Sequence, residues 1–184
     1  LSDPSEFVKG QKPVPGAFRV QVAPEVPAGI YEVRAISRFG VSNPRAFVIG
    51  STDEVLEAGG NNQADKAIEL AIGAVVNGRS DANARDYYKV TLAQGQRVLI
   101  ECQARLIDSR MDAMLVLLDP NQREVARSRD FRNGDPLIDF TAPAAGAYTI
   151  VVYDFVFAGG ADHFYRLSAH NRPYIDFVYP PSGV

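Results

Sequence analysis

The chain has 184 residues, of which 46% are hydrophobic and 22% charged, with a formal net charge of −3. That apolar content supports a packed core and argues against disorder, and the length allows one domain or two. The acidic balance argues against nucleic-acid binding, which wants a basic face. The longest apolar runs are far short of a membrane-spanning stretch, and a single cysteine, Cys102, excludes an internal disulfide.

Residues 1–17, with Pro4, Gly10, Pro13, Pro15 and Gly16, read as irregular. Phe18–Ala23 alternates as a strand with Phe18, Val20 and Val22 on one face. After a turn from Pro24 to Gly29, Tyr31, Val33 and Ala35 face one way and Glu32, Arg34 and Ile36 the other. Ala46–Ile49 gives a short last strand, so 18–49 supplies about three strands, roughly half a sandwich. Gly50 to Asn62, rich in Gly, Asn and acids, reads as a linker.

Beyond it, Ala64–Ile72 has the spacing of a helical turn or two. Short strands and turns then recur at intervals typical of an all-β sandwich. The predicted strands are Ala74–Asn77, Tyr87–Leu92, Arg97–Ala104, Ala113–Leu118, Glu124–Arg127, Leu137–Thr141, Tyr148–Tyr153 and Phe164–Ala169. Predicted turns include Asn77-Gly78, Gln94-Gly95, Asp119-Pro120-Asn121 and Asn133-Gly134. The expected core is Tyr88, Val90, Leu92, Val98, Ile100, Cys102, Leu115, Leu117, Ile138, Phe140, Tyr148, Ile150, Val152, Tyr165 and Leu167. The tail holds a strand-like Tyr174–Tyr179 before Pro180-Pro181-Ser182-Gly183, the expected opening of a further β module.

The fold class predicted is therefore all-β: a jelly-roll-like or Greek-key β-sandwich over 63–171, preceded by a partial sandwich over 1–50 and a linker over 51–62, and followed by the start of another module over 172–184. Two stretches share a signature, PAGIYEVRAIS at 27–37 and AAGAYTIVVYD at 144–154. Tyr31 and Tyr148 lie about one domain length apart, and each is expected to anchor a strand corner after a tight turn. Too little chain precedes Tyr31 for a whole module, so the expectation is a piece of a larger modular protein.

The ordered elements Asp86-Tyr87-Tyr88-Lys89-Val90, Ala93-Gln94-Gly95-Gln96-Arg97-Val98, Leu115-Val116-Leu117-Leu118-Asp119-Pro120, Phe140 through Tyr148 and Tyr165-Arg166-Leu167-Ser168, preceded by Asn61-Asn62 and Gly78, resemble the bacterial pre-peptidase C-terminal domain over about 61–169. The segments Val26 through Arg34, Gly40-Val41-Ser42-Asn43 and Phe47-Val48-Ile49-Gly50 resemble the latter half of an immunoglobulin-like domain of the transcription-factor/plexin type, and the tail resembles the first strand of another. The resemblance implies an alternating array of sandwiches on a large exported bacterial protein, secreted or at the cell surface.

Catalytic signals are thin. The two histidines are His163 and His170, no Gly-x-Ser-x-Gly elbow occurs, and Cys102 sits mid-strand among apolar residues as an inert thiol. No enzymatic activity is expected. Calcium is the one cofactor expected, since a hard cation takes six to eight oxygens from carboxylates and amides on loops. In collagen-binding relatives of the resembled family, linker acids, an Asn pair and Asp residues before the Asp-x-Tyr strand build such sites. The corresponding positions here are Glu57, Asn61, Asn62, Asp81 and Asp86. Three residues separate Glu57 from the Asn pair, more than in that motif, and Arg85 adds a positive charge to the loop. The alternative is that Asp86 and Asn62 only satisfy turn backbone.

Phe155 and Phe157, in an apolar loop ending in Gly159-Gly160, form a contact patch for a partner or sugar ring if exposed, and a cover for the sandwich end if folded back. Arg123, Arg127, Arg129 and Arg132 alternate with acids and read as a solvated mixed-charge hairpin. The function expected is a non-catalytic accessory or adhesion module. It would present loops to an extracellular protein or polysaccharide and space neighbouring domains of the same chain, with no nucleic acid and no membrane span. The alternative is a carbohydrate-binding jelly roll attached to a secreted hydrolase.

Overall fold

The computed structural model describes residues 18–131, 134–175 and 179. The strands run β1 (Gly29–Val33), β2 (Ile36–Ser37), β3 (Gly40–Val41), β4 (Arg45–Ile49), β5 (Glu54–Leu56), β6 (Ile68–Glu69), β7 (Val75–Arg79), β8 (Asp86–Leu92), β9 (Arg97–Gln103), β10 (Ala113–Leu118), β11 (Glu124–Ser128), β12 (Leu137–Thr141), β13 (Gly146–Asp154) and β14 (Phe164–His170). Helix is confined to single 3-10 turns at Ala64–Lys66 and Arg105–Ile107 among the described residues.

Two five-stranded sheets, ordered β11-β10-β13-β8-β6 and β12-β9-β14-β7-β5, make the sandwich. The chain changes sheet at almost every connection from β7 to β14, the jelly-roll-like behaviour expected from many short strands. Alternation drives it: β14 buries Tyr165, Leu167 and Ala169 and turns the intervening residues outward. Tyr88, Val90, Leu92, Val98, Ile100, Leu115, Leu117, Ile150 and Val152 close the core from both sheets. Every expected core residue is there, with Phe140 at its edge, its ring tilted against Tyr148 at 5.4 Å.

Several local expectations change. Asn77-Gly78 is not a turn but lies within β7, where Gly78 pairs with Tyr165 and a side chain at Gly78 would run into the tyrosine ring. The segment read as a linker contains β5, which pairs in parallel with β7 and so belongs to the sandwich. The helical reading of 64–72 reduces to one 3-10 turn followed by β6, which pairs in parallel with β8. Residues 18–23 form no strand and are exposed; no described strand lies alongside to supply the hydrogen bonds that an extended segment needs. The tail strand predicted for 174–179 lies largely outside the described residues, as do Arg132 and Asn133.

In the amino-terminal unit β1 pairs with β4 and β2 with β3, both antiparallel. Tyr31 donates its hydroxyl to the Pro27 carbonyl at 2.8 Å, and Tyr148 donates to the Ala144 carbonyl at 2.9 Å, each reaching back four residues. The shared signature is thus one corner built twice. The unit touches the sandwich where Asp108, in a left-handed conformation after the 3-10 turn, accepts the Ala46 amide at 2.6 Å.

Candidate functional site

The acids and amides singled out in the sequence converge on two buried tyrosines. Tyr88 of β8 and Tyr165 of β14 come from opposite sheets, and their hydroxyls meet at 2.7 Å. Tyr88 donates to Glu57 Oε1 at 2.9 Å, and Tyr165 lies 2.8 Å from Asp86 Oδ2. Glu57 Oε2 accepts the Arg79 amide at 3.1 Å, which ties the segment after β5 onto β7. Asn62 donates to Asp86 Oδ1 at 3.2 Å, while the Asn61 carbonyl accepts the Tyr87 amide at 2.9 Å. Asp86 is 3% exposed and Asn61 1%.

Alternation explains the assembly. Asp86, Tyr88 and Val90 share one face of β8, so Asp86 must point inward at the open end of the sandwich. A buried tyrosine hydroxyl needs a partner, and the two phenols reach the carboxylates at that end. Burial, with the Glu57 and Asp81 charges adding to it, pushes the Asp86 carboxyl up from 3.8 to about 7. Burial likewise raises both tyrosines, so they stay protonated donors.

Counting protons shows what the cluster lacks. Asp86–Tyr165, Tyr165–Tyr88 and Tyr88–Glu57 are three oxygen–oxygen contacts of 2.9 Å or less, beside a longer one of 3.3 Å between Tyr165 and Glu57, but the phenols supply one proton each. With Tyr165 donating to Asp86 and Tyr88 to Glu57, the hydroxyl–hydroxyl contact has no proton left; a protonated Asp86 would reverse its bond and supply one, Asp86 to Tyr165, Tyr165 to Tyr88 and Tyr88 to Glu57. The raised Asp86 carboxyl agrees with this direction.

A cation is the other way to neutralise two facing carboxylates. The donor set suits a hard ion in kind, since it consists of carboxylates and amides only. The Asn61 side-chain nitrogen is buried without a partner; rotating that amide would place a neutral oxygen there instead. Asp81 is exposed and acts on Asp86 through its charge. Among the described residues no group of three or more His, Cys, Asp or Glu stands close enough to hold a metal. Two carboxylates, Glu57 and Asp86, and the Asn61 and Asn62 amides are the groups here that could contribute to a calcium site, with Asp81 exposed beside them.

Arg85 leaves this cluster. Its guanidinium lies 5.1 Å from the Tyr153 ring centroid and 5.5 Å from that of Phe157. Phe157 stacks on Tyr153 at 5.1 Å, so of the two loop aromatics it is the one that folds back. Phe155 stays 43% exposed, with Arg129 3.5 Å above its ring. The loop is held from below by Asp154, which accepts the amides of Val156 and Ala158 at 3.1 and 2.8 Å. The oxygen-rich turns are likewise caps: Asp135 accepts the amides of Ala104, Arg105 and Leu106 within 3.0 Å. The arginine hairpin is paired, Arg123 with Asp119, Arg127 with Glu124 and Arg129 with Asp112, each at 2.7 Å. Cys102 is buried, and burial raises its thiol well above the usual range.

Tyr88 and Tyr165 are expected from the sequence as core residues, and their polar role goes beyond that expectation. The available signal was two tyrosines on inward positions of different strands, each with a hydroxyl that an apolar core cannot satisfy.

Two solved structures are similar to part of the chain. The pre-peptidase C-terminal domain of a collagenase from Bacillus anthracis is similar at 19% identity over 59% of this chain and 99% of that one, with a TM-score of 0.48. The periplasmic inhibitor of g-type lysozyme PliG from Aeromonas hydrophila is similar at 18% identity over 56% and 96%, with a TM-score of 0.42. No curated protein matches the chain. Residues 84–154, from the loop before β8 to the end of β13, match the family model described as the bacterial pre-peptidase C-terminal domain.

Proposed function

We propose that this chain is a non-catalytic accessory segment of an exported bacterial protein. It holds neighbouring modules at a set geometry, presents loops to an extracellular protein or polysaccharide, and is stabilised by calcium at the Glu57–Asp86 cluster. The observation that carries the reading is the fixing of the intermodule segment. β5 pairs with β7, Glu54 grips Arg166 through two contacts of 2.8 Å, and Glu57 reaches the tyrosine pair. A connection built into the sheet spaces its neighbours rigidly, whereas a free linker would let them swing. The β1–β4 unit, read as part of an immunoglobulin-like neighbour, is clasped by Asp108.

Calcium would neutralise Glu57 and Asp86 together and would displace the shared proton, so its binding should strengthen as pH rises through the Asp86 titration. The test is a thermal melt with calcium titrated to millimolar levels, alongside small-angle scattering. Native-state binding raises the melting temperature in proportion to the logarithm of calcium, and Asp86→Ala abolishes the rise. An unchanged melt would remove the calcium assignment. A scattering profile of freely hinged modules, unaltered by Asp108→Ala, would remove the spacing role. The carbohydrate alternative needs free aromatic faces near 155–157, and there Phe157 is stacked on Tyr153 while Arg129 covers Phe155.

A further inference from the structure

A groove of about 640 Å³ runs between the amino-terminal unit and the sandwich, walled by Ala46–Val48 of β4 on one side and by Leu56–Gly59, Arg79 and Asp81 on the other. Two features define what it could hold. The first is an unused strand edge. Among the described residues β4 pairs only with β1, and the Ala46 amide points away from β1 to Asp108. Hydrogen-bonded and non-bonded positions alternate along an antiparallel pair, so Val48, two residues on, also turns its amide and carbonyl away from β1. Among the described residues neither group has a partner. Such an edge is a template for another strand. The apolar side chains of Phe47, Leu56 and Phe164 line the space beside it, and Leu56 is 84% exposed.

The second feature is charge. Arg166, also in the wall, is already neutralised by Glu54. What remains is Glu57 and Asp81 against Arg79, a net negative wall; the Asp81 carboxylate makes no ion pair among the described residues.

We propose that this groove binds an extended segment of a partner polypeptide, apolar on one face and carrying a lysine or arginine, by adding it as a strand to the free edge of β4. Main-chain hydrogen bonds to Val48 supply the register, the apolar lining takes alternate side chains, and the basic residue answers Asp81 and Glu57. This is the general mode of strand addition, in which backbone pairing gives affinity and alternate pockets give selectivity. The groove shares Glu57 and Asp81 with the calcium reading, so its test is run with chelator, which leaves both carboxylates free and lets failure of one reading leave the other standing.

The probes are three synthetic strands of about six residues: an alternating Val-Lys peptide, its Val-Glu counterpart, and the Val-Lys peptide with alternate amides N-methylated. Binding is read by isothermal calorimetry and by amide chemical shifts of the labelled chain. The Val-Lys peptide should bind at least about tenfold more tightly than either of the others, with shifts centred on residues 46–48 and 56–59. Val48→Pro removes the edge amide at a position that β1 does not use, a place where proline is tolerated. It should abolish binding while leaving the melt close to wild type. Asp81→Asn should weaken the Val-Lys peptide and leave the Val-Glu peptide no weaker. Equal binding of the N-methylated peptide, equal binding of the Val-Glu peptide, no binding of the Val-Lys peptide, or shifts centred elsewhere would overturn the proposal. So would self-association of the wild-type chain that Val48→Pro reverses, because the occupant would then be a second copy.

Discussion

Replacing Asp86 by Asn isolates the proton that the tyrosine cluster lacks. With the folded carboxyl at about 7 against an ordinary 3.8, folded Asp86 holds a proton over a range in which the unfolded chain has released it. Stability from this group is therefore greatest toward low pH. It falls as pH rises from 3.8 toward 7 and levels off above, with a limiting slope of about 1.4 kcal/mol per pH unit. Integrated from about pH 5 to about pH 8, the wild type should lose roughly 2.6 kcal/mol through Asp86 alone. Asn has the shape of the protonated acid, and its amide can donate to Tyr165 at any pH. Asp86→Asn should match the wild type near pH 5 and exceed it at pH 8 by about that amount, equivalent to roughly 5 to 10 °C in melting temperature for a chain of this size. The assay is urea unfolding across that range with chelator present, taking the difference between the two proteins so that His163, His170 and the other acids cancel. Parallel curves for wild type and variant would refute the proton count, and so would a wild type whose stability rises with pH relative to the variant.

Two further outcomes test the structural claims. Tyr148→Phe removes the partly buried bond to the Ala144 carbonyl and should cost about 1 to 2 kcal/mol in chemical unfolding, whereas Tyr31→Phe, at an exposed corner, should cost about 0.5 kcal/mol; equal costs would mean that burial does not distinguish the two corners. Gly78→Ala places a methyl group against the Tyr165 ring and should destabilise by about 1 to 3 kcal/mol with a disturbed tyrosine near-ultraviolet signal, and a neutral result would show that the ring has room to move.

The strands that could be read from the sequence were those long enough to carry a run of apolar residues, the edge strands β11 and β12 included. β8 and β14 alternate buried and outward residues, and β10 and the middle of β13 are continuously apolar and buried; both patterns leave their mark in composition. β5 and β6 carry no such mark. They are three and two residues long, sit at sheet edges, and are strands only because β7 and β8 offer hydrogen bonds. Phe18–Ala23 shows the converse: it has the alternation, lacks a neighbour, and stays out of any sheet. Gly78 misled for a related reason. Asn-Gly is a strong turn signal locally, but here glycine is required by a tyrosine eighty-seven residues later in the chain, at Tyr165 on β14.

For the candidate site, the residue types were legible and the chemistry was not. Glu57, Asn62 and Asp86 come together with Tyr88 and Tyr165, while Asp81 acts from the rim through its charge, so the acids mark the right end of the sandwich. Composition could not show that two phenols stand between the two carboxylates, because the distance between Glu57 and Asp86 is set by the stacking of two sheets. That intervening pair decides what the cluster can do. Carboxylates in direct contact would demand a cation or a shared proton between them, whereas carboxylates joined through two phenols can hold one proton at Asp86 and pass its effect to Glu57 through the hydroxyls. The intermodule segment is thereby coupled to the ionisation of a core residue: ionising Asp86 leaves the three contacts one proton short, and Glu57 is the member of the chain carried on the connection between modules. Protonation or a bound cation should therefore tighten that connection before it alters the sandwich, since β8 and β14 are each paired with a strand on both sides and the segment at Glu57 on one.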